Sequence, residues 1–60
     1  MVIQDSKNGE ILINPQSIRL VQAQMHKDTK EEMWCDIFFE GISEPVAFYV
    51  KYEELKKQLI

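Results

Sequence analysis

The residues able to do chemistry are few. His26 is the one imidazole and Cys35 the one thiol. A thiol beside an imidazole can be activated as a nucleophile. An imidazole alone can act as a general base when a nucleophile or a bound water lies within hydrogen-bond reach. Pairing the segments around them as a hairpin, with Met25 opposite Cys35, puts the two groups on opposite faces of the sheet. His26 then reads as a solvated strand-end residue, and Cys35 as a small buried hydrophobe. Asp28, Glu31, Glu32 and Asp36 supply carboxylates for a cation, but their spacing fits no calcium loop, and Lys27 and Lys30 interleave with them. They read as a charged, solvated loop. The one glycine of Asn8-Gly9-Glu10 is too little for a phosphate cradle. No nucleophile, base and oxyanion donor assemble from this set, so the sequence points away from an enzyme. It implies neither a metal nor a cofactor, and it shows no small-molecule substrate site.

The remaining groups of interest are aromatic. "MWCDIFFEGISEPVAFYV", Met33 to Val50, carries apolar or aromatic side chains on both parities. Trp34, Phe38 and Tyr49 could pack against a protein partner or stack on unpaired bases. Charge bears on that choice. Ten acidic residues against seven basic ones leave a net charge of -3, which opposes broad binding to a phosphate backbone. Lys51, Lys56 and Lys57 form a small basic cluster. Arg19 is the only arginine, so bidentate recognition of phosphate or guanine is poorly supplied.

The elements that position these groups follow from pattern. Val2 and Ile3 begin a short strand. Asn8-Gly9 signals a hairpin, because both residues tolerate positive φ, and Glu10 to Ile13 is the return strand. Asn14 to Ser17 is a proline turn. Ile18 to Met25 is a strand, with helix as the competing reading. Ile18 and Leu20 share one parity, and Val21, Ala23 and Met25 the other, so a bulge or change of face is expected near Leu20–Val21. His26 to Glu32 is a loop, Met33 to Phe39 a strand, Glu40 to Pro45 a turn, and Val46 to Val50 the last strand. Beyond it, Tyr52, Leu55 and Leu59 form a helical stripe. Glu53 and Lys57 are placed to pair at i, i+4, and no N-cap side chain precedes the helix.

A meander of the last three strands, with Ala23 opposite Ile37, Phe39 opposite Val46 and Ile37 opposite Phe48, separates two faces. Val21, Ala23, Met25, Met33, Cys35, Ile37, Phe39, Val46, Phe48 and Val50 form the apolar one, under the helix. Gln22, Gln24, His26, Trp34, Asp36, Phe38, Ala47, Tyr49 and Lys51 form the other. Aromatics rimmed by polar groups mark this second face as an interface, centred on Trp34, Phe38 and Tyr49, with Gln22, Gln24 and Asp36 as polar contacts. The N-terminal hairpin could instead cover it as a second core layer; the pattern leaves that open.

Sixty residues make one domain at most, residues 1–60. So short a chain buries roughly 60% of its unfolded surface and is marginal alone. One cysteine excludes an intrachain disulfide and suits a reducing, cytoplasmic setting. Self-association is the expected further source of stability. Neither a signal peptide nor a membrane-spanning run is apparent.

"NGEILINPQSIRLVQ" and "PVAFYVKYEELKKQLI" together resemble the small flagellar and swarming-motility protein family. Asn8, Gly9, Ile13, Asn14, Pro15, Ile18, Val21, Val50, Glu53 and Glu54 carry the likeness. The loop "QMHKDTKEEMW" and the turn "EGISEP" depart from that family's pattern. The resemblance implies a bacterial, non-enzymatic accessory role and supplies no catalytic residue. A weaker likeness, in "GEILI" and "VAFYVKYEEL", is to the carbon-storage-regulator family of small RNA-binding dimers. The basic and arginine-bearing strand edges of that family are missing here, and fold alone does not carry function across.

The expectation is an α+β, mostly β protein: a small antiparallel sheet of about five strands with one C-terminal helix. Its expected role is a cytoplasmic bacterial or phage accessory or regulatory protein that works through protein contacts, as a homodimer or on a protein partner. The alternative is a regulatory dimer that binds single-stranded RNA.

Overall fold

Period-two burial builds the first strand. In the computed structural model, which describes residues 1–60, β1 (Val2–Asp5) buries Ile3 and Asp5 and exposes Val2 and Gln4. The chain turns at Ser6 to Asn8 and returns as β2 (Gly9–Leu12), with Ile3 paired to Ile11 and Asp5 to Gly9. Gly9 has a φ of +85°, a conformation that costs glycine least. Asn8 does not share it. The turn is instead organised by Asp5, whose Oδ1 accepts the N–H groups of Lys7 and Asn8 at 2.8 Å each.

A second local signal ends the hairpin. The side chain of Asn14 accepts the N–H of Gln16 at 3.0 Å, and Pro15 opens a 3₁₀ turn over Pro15–Ser17. That turn delivers β3 (Ile18–Met25). It pairs antiparallel with β4 (Glu32–Phe39), which pairs with β5 (Val46–Phe48). Five antiparallel strands thus form two sheets, a hairpin and a meander. With one C-terminal helix, the fold is α+β and mostly β.

The meander separates its faces as expected, in a register two residues from the expected one. Ala23 opposes Cys35, Val21 opposes Ile37, Cys35 opposes Phe48, and Ile37 opposes Val46. A two-residue slip keeps every side chain on its own face, whereas a one-residue slip would have exchanged the faces. The break in phase falls at Arg19, between Ile18 and Leu20, and a second lies opposite Met25, where Met33 is the extra residue. Met25, Met33 and Val46, expected in the core, lie at the strand ends and are exposed. The last strand stops at Phe48 rather than Val50. There the N–H of Val50 bonds the carbonyl of Phe48 and the N–H of Tyr49 bonds Asp5, so neither amide continues a ladder.

The helix α1 (Tyr52–Leu59) buries Leu55, the middle residue of its stripe. The missing N-cap is supplied from another strand: Glu32 Oε1 accepts the N–H of Tyr52 at 3.3 Å. Lys57 pairs with Glu54 at 3.8 Å instead of Glu53. Both side chains are exposed, so the pair contributes little either way. Glu53 and Glu54 in the first turn and Lys56 and Lys57 in the last suit the helix dipole.

Hairpin, meander and helix meet in one core of Ile3, Cys35, Ile37, Phe48 and Leu55. Phe39 meets Phe48 edge-on, with centroids 6.2 Å apart. The open question about the hairpin is settled by Ile3, which is wholly buried in this cluster. The strands of the hairpin lie on the core side, and only its turn reaches the rim of the aromatic face, at Tyr49. No helix is long and apolar enough to cross a membrane.

Candidate protein-contact surface

The outer face of the meander is assembled from alternate residues of three strands. Leu20, Gln22 and Gln24 of β3 lie beside Phe38, Asp36 and Trp34 of β4, and Ala47 of β5 lies beside Asp36. Tyr49 follows β5 at the rim. The six residues singled out from sequence are thus brought together, though unevenly. Trp34, Gln24, Asp36 and Tyr49 form one linked cluster. Trp34 Nε1 donates to Asp36 Oδ1 at 2.8 Å, and Gln24 Nε2 donates to Asp36 Oδ2 at 3.0 Å. The Trp34 and Tyr49 rings lie 6.2 Å apart, inclined at 53°. Gln22 stands exposed beside this cluster, and Phe38 sits at the far end against Leu20.

These bonds decide what the face can do. Each oxygen of Asp36 already accepts a hydrogen bond, and the indole is held by its N–H. The result is a preorganised patch whose flat rings cost little further entropy to dock against. Trp34, Phe38 and Tyr49 are each half-buried.

Two members of the region escaped sequence reasoning. Leu20 is 53% exposed on this face. Alternation places the phase break after it, near Leu20–Val21, whereas the extra residue is Arg19, and no local signal distinguishes the two. Lys7, from the hairpin turn, lies with its Nζ 4.8 Å from the centroid of the Tyr49 ring, a cation–π contact. Its partner is far along the chain, so spacing alone could not reveal it.

The scattered chemical groups stay apart. His26 is exposed, and its Nδ1 accepts the N–H groups of Asp28 and Thr29 at 3.1 and 3.3 Å, closing the turn after β3. Cys35 is buried, and its Sγ donates to the carbonyl of Val50 at 3.3 Å. Burial pushes the Cys35 thiol up, and the negative charges of Glu32 and Asp36 push it further. The expected outcome is a thiol at least ~10-fold slower to alkylate in the native chain than in the denatured one at pH 8. Equal rates, followed by mass spectrometry, would show that the pocket around Cys35 opens freely.

Comparison with protein-family models, with curated proteins and with solved structures finds no match.

Proposed function

We propose that this chain is a small non-enzymatic accessory or regulatory protein that works through protein–protein contacts, as a homodimer. Its contact surface is the outer face of the meander: Trp34, Phe38 and Tyr49, with Gln22, Gln24 and Asp36. One observation carries this reading. The strands of the hairpin and the helix pack on the inner face, and Trp34, Phe38 and Tyr49 stay half-exposed on the outer one, where Lys7 of the hairpin turn reaches the Tyr49 ring. The resemblance to the flagellar and swarming-motility family supports an accessory role, and the modest core of so short a chain supports self-association.

The test is absolute mass by light scattering across a dilution series, read with the emission maximum of Trp34. A dimer with blue-shifted emission is expected. Trp34→Ala should weaken association about 30-fold, the scale of a central interface aromatic. A monomer, or a dimer indifferent to both Trp34→Ala and Phe38→Ala, would remove the surface from consideration.

A second reading, a single-stranded RNA binder, has one observation in its favour: an ammonium group, Lys7, beside the ring pair Trp34 and Tyr49. It requires a salt-sensitive shift with short oligonucleotides, and no shift at low salt would eliminate it.

A further inference from the structure

We infer that the free edge of β3 receives an extended, acidic segment of a protein partner, which pairs along the strand and sets its apolar side chains in the groove between β3 and α1. Such a segment leaves the outer face free to self-associate, so the inference goes beyond the reading above and does not depend on it.

The edge is the first observation. β3 is eight residues long and has β4 as its only sheet neighbour. No backbone hydrogen bond outside that ladder involves Arg19 to Met25. Strand edges are commonly blunted by charge, proline or brevity. β5 has three residues, and β2 has four with Glu10 among them. From Leu20 to Met25, β3 has no such guard. An edge of this kind can add a strand, with main-chain bonds giving affinity and alternate side chains giving specificity.

The groove is the second. Ile18, Val21, Leu55 and Leu59 supply its apolar wall. Leu20 and Val21 both border it, although they stand on opposite faces of the sheet. The groove therefore opens at the strand's edge, where every second side chain of an added strand would turn inward.

Charge selects the occupant. The charged side chains lining the groove are Arg19 and Lys56, and neither is ion-paired. The chain as a whole carries a net charge of -3, so this wall, with two unanswered cations and no carboxylate side chain, runs against the overall sign. A segment with Asp or Glu among its apolar residues answers both cations. A second β3 does not, because Ile18 to Met25 contains Arg19 and no acidic residue. A fatty acid would meet the apolar wall and the cations but leave the strand edge unpaired.

Chemical-shift mapping on the isotope-labelled full chain tests this. The probe is the blocked peptide Thr-Val-Glu-Val-Glu-Val-Thr. One control replaces its glutamates by lysine, and another methylates its backbone nitrogens. At low salt the acidic peptide should bind at least ~10-fold more tightly than the lysine one. Amides from Leu20 to Gln24 and from Lys56 to Leu59 should shift, while the Trp34 indole signal stays in place. Arg19 and Lys56 are exposed, so Arg19→Gln with Lys56→Gln should leave the fold intact and weaken binding about 5-fold. No binding of the acidic peptide, equal binding of the lysine peptide, or full binding of the methylated one would overturn the inference. Shifts confined to the outer face would overturn it too. Dodecanoate bound in the groove where the acidic peptide fails would mark a site for an anionic amphiphile instead. A dimeric wild-type chain whose β3 edge amides are already protected from hydrogen exchange would assign the edge to a second copy, and both readings would fall. A monomer that binds the acidic peptide at the edge would uphold this inference and remove only the homodimer.

Discussion

Leu55→Ala will cost about 3 kcal/mol of folding stability, the usual range for a fully buried leucine whose site cannot collapse. Leu55 has no exposed surface, and it is the only buried residue of α1. The helix is eight residues long, too short to persist by itself in water. Its attachment therefore depends on that side chain, with help from Tyr52. A chain of this length has a total stability on the order of 3–9 kcal/mol. The truncated variant should thus be largely unfolded, or folded with its helix detached. Urea titration read by circular dichroism measures the loss, and Leu55→Met, which conserves volume, should cost less than about 1.5 kcal/mol. A loss under 1 kcal/mol for the alanine variant would mean that the helix contributes little to the core.

Asp5→Asn is the polar counterpart. Asp5 is 4% exposed, and its carboxylate receives three backbone N–H groups: Lys7 and Asn8 on Oδ1, and Tyr49 on Oδ2 at 2.9 Å. An amide can still serve the turn through its oxygen, but it presents an NH₂ to the N–H of Tyr49. The melting temperature should fall by on the order of 10 °C. The pH dependence has a definite sign. Burial pushes the Asp5 carboxyl up, yet the backbone hydrogen bonds from Tyr49, Asn8 and Lys7 outweigh it and hold the group below its ordinary value. A depressed folded pKa means that the unfolded chain takes up the proton first as pH falls. The stabilisation is therefore complete above the ordinary carboxylate range and is lost as pH drops through the folded value. Wild type and variant should differ most near neutrality and converge in acid. Thermal melts at pH 7, 4 and 2 check this, and a gap that widens in acid would contradict it.

Much of the fold was legible because local rules acted without opposition. Asn14-Pro15 stopped one strand and started the next, Ile18 to Met25 kept a strand's length and pattern, and Tyr52, Leu55 and Leu59 declared a helix. What failed was long-range. The ladder register depends on two extra residues, Arg19 and Met33, whose identities carry no bulge signature. The strand break after Phe48 arises because Asp5 captures the amide of Tyr49, far away in sequence. The helix lacks a local cap because Glu32, twenty residues earlier, supplies one. The candidate surface shows the same division. Alternation alone grouped Trp34, Asp36, Phe38, Gln22 and Gln24 on one face. That Asp36 would clamp both Trp34 and Gln24, and that Lys7 would reach Tyr49, required the third dimension.

The bond from Tyr49 to Asp5 spans 44 positions, while β3, β4 and β5 join through short connections. Contacts that close a long loop carry an entropic cost that sequential hairpins do not. The expected order is that the meander organises before the hairpin docks, with the Asp5 link closing after the folding barrier; stopped-flow folding and unfolding rates of wild type and Asp5→Asn check it. Loss of such an interaction leaves the folding rate nearly unchanged and accelerates unfolding. The Asp5 carboxylate then acts as a latch on the lifetime of the folded chain, and Asp5→Asn should steepen escape from the native state without slowing its assembly.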